Sequence, residues 1–166
     1  MYYDIIDTPI GRVLLVGNGE ALIRVGLPDA RHPFPVAPEW RRDRTALAEA
    51  RAQFEAYFDG VRIDFDLRLA PEGSAFQRRV WDALCDIPYA STISYAELAR
   101  RIGNPKASRA VGLANGANPL AIVVPCHRVI GADGSLTGYS GGLPAKRFLL
   151  DLERRHAPVR PFALTS

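Results

Sequence analysis

The chain has 166 residues, of which 48% are hydrophobic and 23% charged, and its formal net charge is +3 at pH 7. These values are typical of a globular protein that forms one or two domains with hydrophobic cores. No apolar run approaches the ~20 residues of a membrane-spanning helix, and no basic leader precedes a cleavage site. We therefore expect no membrane partner and a cytoplasmic location.

Cysteine and histidine are scarce and widely spaced. Cys85 and Cys126 are too few for a disulfide framework, which favours a reducing compartment. Together with His32, His127 and His156 they show none of the ligand spacings that hold zinc. We therefore predict no metal site.

The positive charge is concentrated in the second part of the chain. Residues 1–70 carry a net charge of −2, whereas residues 71–166 carry +5. A basic surface suits a polyanionic partner such as nucleic acid. Charge alone also leaves open a surface that is merely well solvated.

The chain begins with three short apolar segments, Tyr2–Asp7, Arg12–Gly17 and Ala21–Leu27. The last two are separated by a turn that contains Asn18-Gly19, a strong signal for a β-hairpin. This pattern predicts an antiparallel meander of three strands.

The next residues complete a small first domain. Four prolines in Pro28–Trp40 exclude regular structure there. Thr45–Phe58 has the apolar period of a helix, and Arg62–Leu69 alternates as a half-buried strand does. Residues 1–70 carry no evident nucleophile, phosphate loop or metal cluster, so we expect an α+β domain with a supporting role.

A second domain, residues 71–166, follows the linker Ala70–Gly73. Ser74 can cap a helix that Pro88 stops, and Cys85, near the end of this helix, is expected in the core.

Two short helices come next. Ser94 has the position of an N-cap for a helix that ends at Ile102, and Lys106–Asn115 is helical again after a Gly-containing turn. The pattern predicts a helix-turn-helix. The second helix is rich in Ala and Gly, so its backbone can approach a partner surface closely or pack tightly against another helix.

The segment Ile122–Ile130 is the chemical centre of the sequence. Its apolar run predicts a buried strand that stops at Pro125, where Cys126, His127 and Arg128 follow in a row. A thiol becomes a good nucleophile as the thiolate, which a base or nearby positive charge favours. Burial of Cys126 as an ordinary core residue is the alternative for an isolated Cys-His pair.

Several further motifs surround this segment, and a last helix runs from Leu143 to about Glu153. The set resembles the O6-alkylguanine-DNA alkyltransferases, most densely from Gly73 to Glu153. The motifs that carry the resemblance are Ile93-Ser94-Tyr95, Gly103-Asn104-Pro105-Lys106-Ala107-Ser108-Arg109-Ala110-Val111-Gly112, Asn118-Pro119, Pro125-Cys126-His127-Arg128 and Thr137-Gly138-Tyr139-Ser140-Gly141-Gly142-Leu143.

The resemblance implies a ribonuclease-H-like N-terminal domain and a mostly helical C-terminal domain. It implies direct-reversal repair, in which the alkyl group of O6-alkylguanine in duplex DNA moves irreversibly to the protein's own cysteine, once per molecule and without a cofactor. The target nucleotide is extruded, and the helix-turn-helix enters the minor groove with little sequence readout. O4-alkylthymine is expected as a further substrate, and the protein as a monomer that associates with the nucleoid when bound to DNA.

The resemblance also assigns roles to residues. Cys126 is the nucleophile, His127 its base through a water molecule, and Glu153 the carboxylate that orients the imidazole. Tyr95 contacts the flipped nucleotide and donates a proton to guanine, and Asn118 braces the turn before the active segment.

Other residues of the resemblance face DNA or the alkylated base. Arg109 takes the place of the extruded base in the stack. The further DNA-binding residues are Ser94, Tyr95, Ala110, Gly112 and Asn115. The alkylguanine pocket is formed by Val129, Tyr139, Ser140 and Gly141. Arg128 is expected to make structural hydrogen bonds.

Two other functions compete with this interpretation. A lesion-binding protein of the same architecture would mark alkylguanine without reacting, but its known relatives replace the cysteine that this chain keeps at Cys126. A Cys-His hydrolase or redox protein would leave the basic helix-turn-helix without a use, and Cys126 has no second cysteine nearby in the sequence.

Overall fold

The computed structural model describes residues 1–28, 36–139 and 141–158. It begins with an antiparallel meander of β1 (Tyr2–Thr8), β2 (Gly11–Gly17) and β3 (Leu22–Gly26). In the second turn the Asn18 side chain accepts hydrogen bonds from two backbone N–H groups, each at 2.8 Å. The predicted meander is therefore confirmed.

A fourth strand was not predicted. β4 (Arg41–Arg42) pairs in parallel with β1 and gives the sheet order β3-β2-β1-β4. Its exposed arginines carry no apolar alternation, so the sequence offers no strand signal there. Within Pro28–Trp40, residues 29–35 lie outside the described part, and the remainder has neither helix nor strand.

The first helix, α1 (Ala48–Phe58), buries its apolar face against the sheet. It starts later than the predicted Thr45. The Asp43 carboxylate accepts hydrogen bonds from the N–H groups of Thr45 and Ala46, which holds these residues in a turn. Tyr57 lies on the buried face, with none of its surface exposed.

Arg62–Leu69 was predicted to be a half-buried strand, and this is wrong. Its apolar residues are mostly half-buried, but within the described chain it pairs only through a bridge between Leu69 and Leu22. Elsewhere the Gln53 side chain replaces a neighbouring strand: it donates to the Asp66 carbonyl at 2.9 Å and accepts from the Asp66 N–H at 2.8 Å. The alternation of apolar residues therefore indicated which side chains are partly buried, but it did not indicate a strand paired with a neighbour.

The C-terminal part opens with α2 (Ala75–Leu84), which Ser74 caps as predicted. The Ser74 hydroxyl accepts from the Gln77 N–H at 3.1 Å, and the Gln77 side chain accepts from the Ser74 N–H at 2.9 Å. Cys85 is exposed rather than in the core, because the buried face of the helix ends with Leu84.

The helix-turn-helix consists of α3 (Tyr95–Arg101) and α4 (Ser108–Gly116). The Ser94 hydroxyl caps α3 by accepting from the Glu97 N–H at 3.1 Å. Gly103, at φ +80°, closes α3 in a left-handed conformation that glycine adopts without strain. This motif is therefore present where the sequence predicted it.

The buried strand that was predicted to stop at Pro125 is wrong: Ile122 and Val123 lie in a turn, and the Val124 N–H donates to the Leu120 carbonyl at 2.9 Å. Cys126–Arg128 form one turn of 3₁₀ helix, and only Val129–Ile130 is a strand, β6, paired in parallel with β5 (Ile93–Ser94). Pro125 has no N–H to contribute to a ladder, and its carbonyl instead accepts the N–H that closes the 3₁₀ turn, at 3.0 Å. The chemically important residues therefore lie on a tight turn.

The last helix, α5 (Leu143–Arg155), lies where α1 meets the C-terminal part; the rings of Phe58 and Phe148 have centroids 6.5 Å apart. The Val25 N–H of β3 donates to the Pro119 carbonyl at 2.8 Å. One hydrophobic cluster therefore runs through both parts. No helix in the described ranges is long and apolar enough to cross a membrane.

Candidate active site

Cys126 lies at the start of the 3₁₀ turn and is 2% exposed. Its N–H donates to the Val124 carbonyl at 2.8 Å. Asn118 braces the preceding chain from within: its Nδ2 donates to the same Val124 carbonyl at 2.8 Å, and its Oδ1 accepts from the Leu120 N–H at 2.9 Å. This matches the bracing that was expected of Asn118.

The braced turn contains a strained residue. Ile122 has φ +77°, and a β-branched residue is rarely found there. Its side chain is 1% exposed, so surrounding packing holds it in place. Backbone strain of this kind persists only where neighbouring structure imposes it, and it is common beside functional sites.

His127 and Glu153 form a buried pair. The Nε2 of His127 lies 2.6 Å from the Oε2 of Glu153, and neither side chain is exposed. His127 comes from the 3₁₀ turn and Glu153 from α5, so the contact depends on the docking of the last helix. The predicted partnership is present in the structure.

Glu153 accepts several further hydrogen bonds. Arg128 donates through Nε to Oε1 at 2.8 Å and through Nη2 to Oε2 at 3.0 Å. The Ala90 N–H donates to Oε1 at 3.1 Å, and the Tyr57 hydroxyl donates to Oε2 at 2.6 Å. Arg128 also donates to the Ile87 carbonyl at 2.7 Å.

This network fixes the protonation of the pair. Burial alone would raise the pKa of Glu153, but the hydrogen bonds from His127 and Arg128 and the positive charge of Arg128 outweigh it and lower that pKa. Glu153 is therefore an ionised acceptor, and His127 donates to it through Nε2–H. Burial lowers the pKa of His127 against the opposing effect of Glu153, so the imidazole is neutral at pH 7.

The other imidazole nitrogen remains available. His127 Nδ1 is buried and has no hydrogen-bond partner among the described residues. With the proton on Nε2, Nδ1 carries a lone pair. It can therefore accept a proton.

The resting thiol is protonated. Burial raises the pKa of Cys126 to about 11, although the Asn118 side chain and the positive charge of Lys146 act to lower it. Lys146 is fully buried and donates through Nζ to the Val129 carbonyl at 2.7 Å and to the Thr137 carbonyl at 2.9 Å. Cys126 thus needs a base to become a nucleophile.

Tyr95 is joined to the same loop. Its hydroxyl lies 3.4 Å from both the carbonyl and the hydroxyl of Thr137. Its ring is also 3.8 Å from the position that a Cβ on Gly112 would occupy. Thr137 therefore connects Tyr95 with Lys146, which brings two possible proton donors to one loop.

The structure describes three of the four residues that were predicted to form the alkylguanine pocket. Val129 is fully buried, and Tyr139 is buried with its hydroxyl unpartnered among the described residues. A Cβ on Gly141 would lie 2.7 Å from a Leu27 methyl carbon, so glycine is required for this close approach. Ser140 lies outside the described residues.

The arrangement suits one type of chemistry. A buried thiol, a neutral imidazole and an ionised carboxylate can together form a nucleophile and pass its proton to a base. No group of three or more His, Cys, Asp or Glu in the described ranges could hold a metal ion.

Comparison with known proteins decides the family. Residues 1–71 match the family described as "6-O-methylguanine DNA methyltransferase, ribonuclease-like domain", and residues 75–155 match the corresponding "DNA binding domain". The methylated-DNA–protein-cysteine methyltransferase of Methanosarcina barkeri is 52% identical over 156 residues, which cover 94% of this chain and 99% of that protein. The chain belongs to the 6-O-methylguanine DNA methyltransferase family.

Two further relatives of this methyltransferase agree. The protein named methylated-DNA–protein-cysteine methyltransferase from Mycolicibacterium paratuberculosis is 53% identical over 157 residues, covering 95% of this chain and 94% of that protein. A crystal structure of Mycobacterium tuberculosis OGT in complex with DNA superposes with a TM-score of 0.88 at 49% identity, covering 96% of each chain. The fold implied by the sequence resemblance is confirmed.

The exposed face of α4 in this methyltransferase carries one cation, small residues and the exposed Leu113. Arg109 and Ala110 are exposed and Gly112 is half-buried, as a surface that contacts a partner requires. Asn115 differs from expectation: it is 2% exposed, and its Nδ2 donates to the Cys126 carbonyl at 3.4 Å. It lies on the buried face of the helix, so it supports the site rather than contacting DNA directly.

Two residues of the methyltransferase site were not identified from the sequence. Lys146 precedes Glu153 by two helical turns on the face that also carries Leu149, so a lysine on an apolar stripe was the available signal. Tyr57 lay in the apolar stripe of α1, where nothing distinguishes it from a core residue. Only the fold brings it to Glu153.

Proposed function

We propose that this protein repairs DNA directly by taking the alkyl group from O6 of an alkylated guanine onto Sγ of its own Cys126. A bond forms between Sγ and the alkyl carbon while the bond from that carbon to O6 breaks. The observation that carries the proposal is the buried Cys126 beside the His127–Glu153 pair, in a chain whose relatives are named methylated-DNA–protein-cysteine methyltransferases.

The proton of Cys126 passes to His127 Nδ1 through a water molecule. The unpartnered Nδ1 supports this path, and the ionised Glu153 stabilises the imidazolium that forms. Lys146 lowers the cost of the thiolate because its positive charge acts on Sγ. The thiol therefore ionises as the substrate arrives, not in the resting protein.

The departing guanine needs a proton. Tyr95 supplies it, since its hydroxyl lies beside the Thr137 carbonyl to which Lys146 also donates. Tyr95 then regains a proton from water, and the imidazolium of His127 releases one. The product is a thioether, a bond that water does not hydrolyse under these conditions, so each molecule reacts once. No cofactor takes part in these steps.

The substrate base has to leave the double helix to react. Cys126 is 2% exposed, and the O6 alkyl group of a stacked guanine is not within reach of a buried thiol. We infer that α4 lies in the minor groove, with Ala110 and Gly112 allowing close approach. Arg109, exposed on the same helix, fills the gap in the stack.

The remaining assignments follow from this activity. Residues 1–70 form the supporting domain and residues 71–166 the catalytic and DNA-binding domain. Ser94 contributes to the DNA surface, and Val129, Tyr139, Ser140 and Gly141 to the alkylguanine pocket. The protein acts as a monomer in the cytoplasm, on the nucleoid, with little sequence preference and with O4-alkylthymine as a second substrate.

The two cysteines allow a matched test. Duplex DNA with one O6-methylguanine is incubated with wild-type protein, Cys126→Ser and Cys85→Ser, and the recovery of unmodified guanine is measured. We expect recovery with wild-type protein and Cys85→Ser, because Cys85 is exposed and only Cys126 is the buried thiol of the proposed site. Tight binding without recovery in wild-type protein would instead support a lesion-binding protein.

A further inference from the structure

We propose that Tyr57, from helix α1 of the N-terminal part, is a positioning residue of the reaction: its hydroxyl holds the Glu153 carboxylate and limits the negative charge that this carboxylate presents to His127. The inference rests on the proposed function and extends it, because it gives the N-terminal part a role in the chemistry beyond support.

The hydroxyl and the imidazole share one oxygen atom. The Tyr57 hydroxyl and His127 Nε2 each lie 2.6 Å from Glu153 Oε2. All three side chains are completely buried, so no solvent competes for these bonds. In a dry site a hydrogen bond to a charged group is among the strong ones.

Tyr57 can act only as a donor. Burial, followed by the negative charge of Glu153, raises the pKa of Tyr57 well above its ordinary value, so the hydroxyl keeps its proton. The proton that lies between Tyr57 and Glu153 therefore belongs to Tyr57. The carboxylate remains ionised and partly neutralised on the oxygen that faces His127.

The ring of Tyr57 is held independently of its hydroxyl. It packs edge-on against Phe58 at 5.4 Å and against Tyr89 at 6.3 Å between centroids, and it is tilted against Phe65 at 5.5 Å. A phenylalanine at position 57 would keep these contacts. Tyr57→Phe therefore removes the hydroxyl and leaves the packing of the ring unchanged.

The direction of the effect follows from the acceptor capacity of Glu153. A carboxylate offers about four lone-pair sites, and Glu153 receives five donors, three of them on Oε2. Without the Tyr57 hydroxyl, more of the negative charge on Oε2 is directed at His127. The imidazolium becomes more favourable, and His127 holds a proton to higher pH.

The other groups that face this pair stay the same in such a variant. Among the described residues, the charged and titratable groups that act on His127 or Glu153 besides Tyr57 are Arg128, Lys146, Tyr139 and Tyr89, and Cys126 acts in turn on Tyr139 and Lys146. Tyr89 offers a matched control, since its hydroxyl is buried without a hydrogen-bond partner among the described residues. Tyr89→Phe removes a hydroxyl beside the same network but no hydrogen bond to Glu153.

The first measurement needs no DNA. The ¹⁵N-labelled full-length protein is compared as wild type, Tyr57→Phe and Tyr89→Phe by long-range proton–nitrogen NMR of the histidine rings. We expect the Nε2–H form of His127 in all three, a downfield shift of the Nε2–H proton in Tyr57→Phe only, and ring protonation at a pH higher by on the order of one unit. His32 and His156 serve as internal references.

The second measurement is the pH dependence of methyl transfer from O6-methylguanine DNA, with the rate taken per active molecule. We expect the acidic limb to move to higher pH in Tyr57→Phe and to stay in place in Tyr89→Phe. A merely structural role would lower the amount of folded protein without moving either the resonance or the limb.

The two ways of failing are distinct. Identical His127 resonances in wild type and Tyr57→Phe, together with normal methyl transfer, would overturn the role of Tyr57 and leave the proposed function intact. If no variant transfers a methyl group, the proposed function fails, and the NMR comparison still decides whether Tyr57 acts on His127 through Glu153.

Discussion

His127 and Glu153 meet through Nε2 and Oε2 at 2.6 Å, although they come from the 3₁₀ turn and the last helix and neither is exposed to solvent. Arg128, the next residue after His127, binds the same carboxylate through two nitrogens. The negative charge of Glu153 therefore stabilises the fold by pairing with Arg128 and also orients the imidazole of His127.

Replacing Glu153 with glutamine should reduce both activity and stability. The amide cannot accept from His127 and Arg128 as a carboxylate does, and it leaves the buried guanidinium without a counter-charge. We expect methyl transfer to fall by about 10²-fold or more and the free energy of unfolding to fall by about 3 kcal/mol. Single-turnover kinetics and denaturant unfolding measure these changes.

Asp151→Asn is the control for that variant. Asp151 lies on the same helix, and its side chain is 50% exposed and pairs with Arg154 at 3.6 Å. Its loss should change stability by less than about 1 kcal/mol and leave transfer unaffected. Equal effects of the two substitutions would contradict a special role for the buried carboxylate.

Lys146 should matter through its charge. Lys146→Met removes the cation that acts on the Cys126 thiol and the donors to the Val129 and Thr137 carbonyls. We expect transfer at neutral pH to fall by about 10-fold or more, because the pKa of Cys126 rises further. Raising the pH should recover part of the rate.

Arg147→Met tests whether any lysine or arginine of α5 would give the same result. Arg147 is the next residue and is exposed. Its substitution should leave the rate and its pH dependence unchanged. A loss of equal size there would point to overall charge rather than to the buried ammonium.

The stability of the protein should decrease in mild acid because of His127. Burial lowers its pKa from the ordinary 6.5, so below that pH the unfolded chain binds a proton that the folded protein does not. Unfolding then takes up a proton, and the free energy of unfolding falls as pH decreases. Above about pH 7 this group contributes no pH dependence.

Glu153 affects the free energy of unfolding in a separate, more acidic pH range. Its pKa is lowered in the folded protein, so its contribution is present above the ordinary 4.5 and is lost only as pH falls below that value. Urea unfolding between pH 5 and 7 therefore isolates the histidine, and His127→Gln should flatten the curve in that range. A wild-type curve that is already flat would show that His127 titrates normally.

Arg109 should be needed for repair in duplex DNA specifically. Arg109→Ala removes the exposed cation that we propose fills the gap left by the flipped nucleotide. We expect transfer from a duplex to fall by about 10-fold or more, and transfer from free O6-methylguanine or a benzylated analogue to be unchanged. Rates for both substrates are measured in parallel.

Arg12→Ala is a control with the same charge change on another face. Arg12 lies at the start of β2, with its side chain 81% exposed and 3.6 Å from Asp7. It should not affect either substrate. If Arg109→Ala slowed both substrates equally, the residue would act on the pocket and not on the DNA.

The sequence predicted the fold wherever an apolar period coincided with a cap or a turn. The meander and the helices capped by Ser74 and Ser94 are of this kind. The error at Arg62–Leu69 arose because alternation reports which side chains face the core, whereas Gln53 occupies the backbone groups. The error at Ile122–Val124 arose because an apolar run indicates burial, whereas hydrogen bonds from Asn118 and to the Leu120 carbonyl hold these residues in a turn.

The site was predicted where its residues are neighbours in a motif. Cys126, His127 and Arg128 are consecutive, and Glu153 matched the position that the family resemblance implied. Tyr57 could not be found in this way, because 96 residues separate it from Glu153 and its helix looks like any other core helix. Contacts of that kind depend on how the two parts of the chain dock.

The central claim is that Cys126 itself receives the alkyl group, once. Wild-type protein is incubated with an excess of duplex DNA containing one O6-methylguanine, and its intact mass is measured before the adduct is mapped by peptide sequencing. The account predicts a gain of one methylene mass per molecule, located on Cys126 and absent in Cys126→Ser. A gain on another residue, more than one gain, or tight binding with no gain would contradict it.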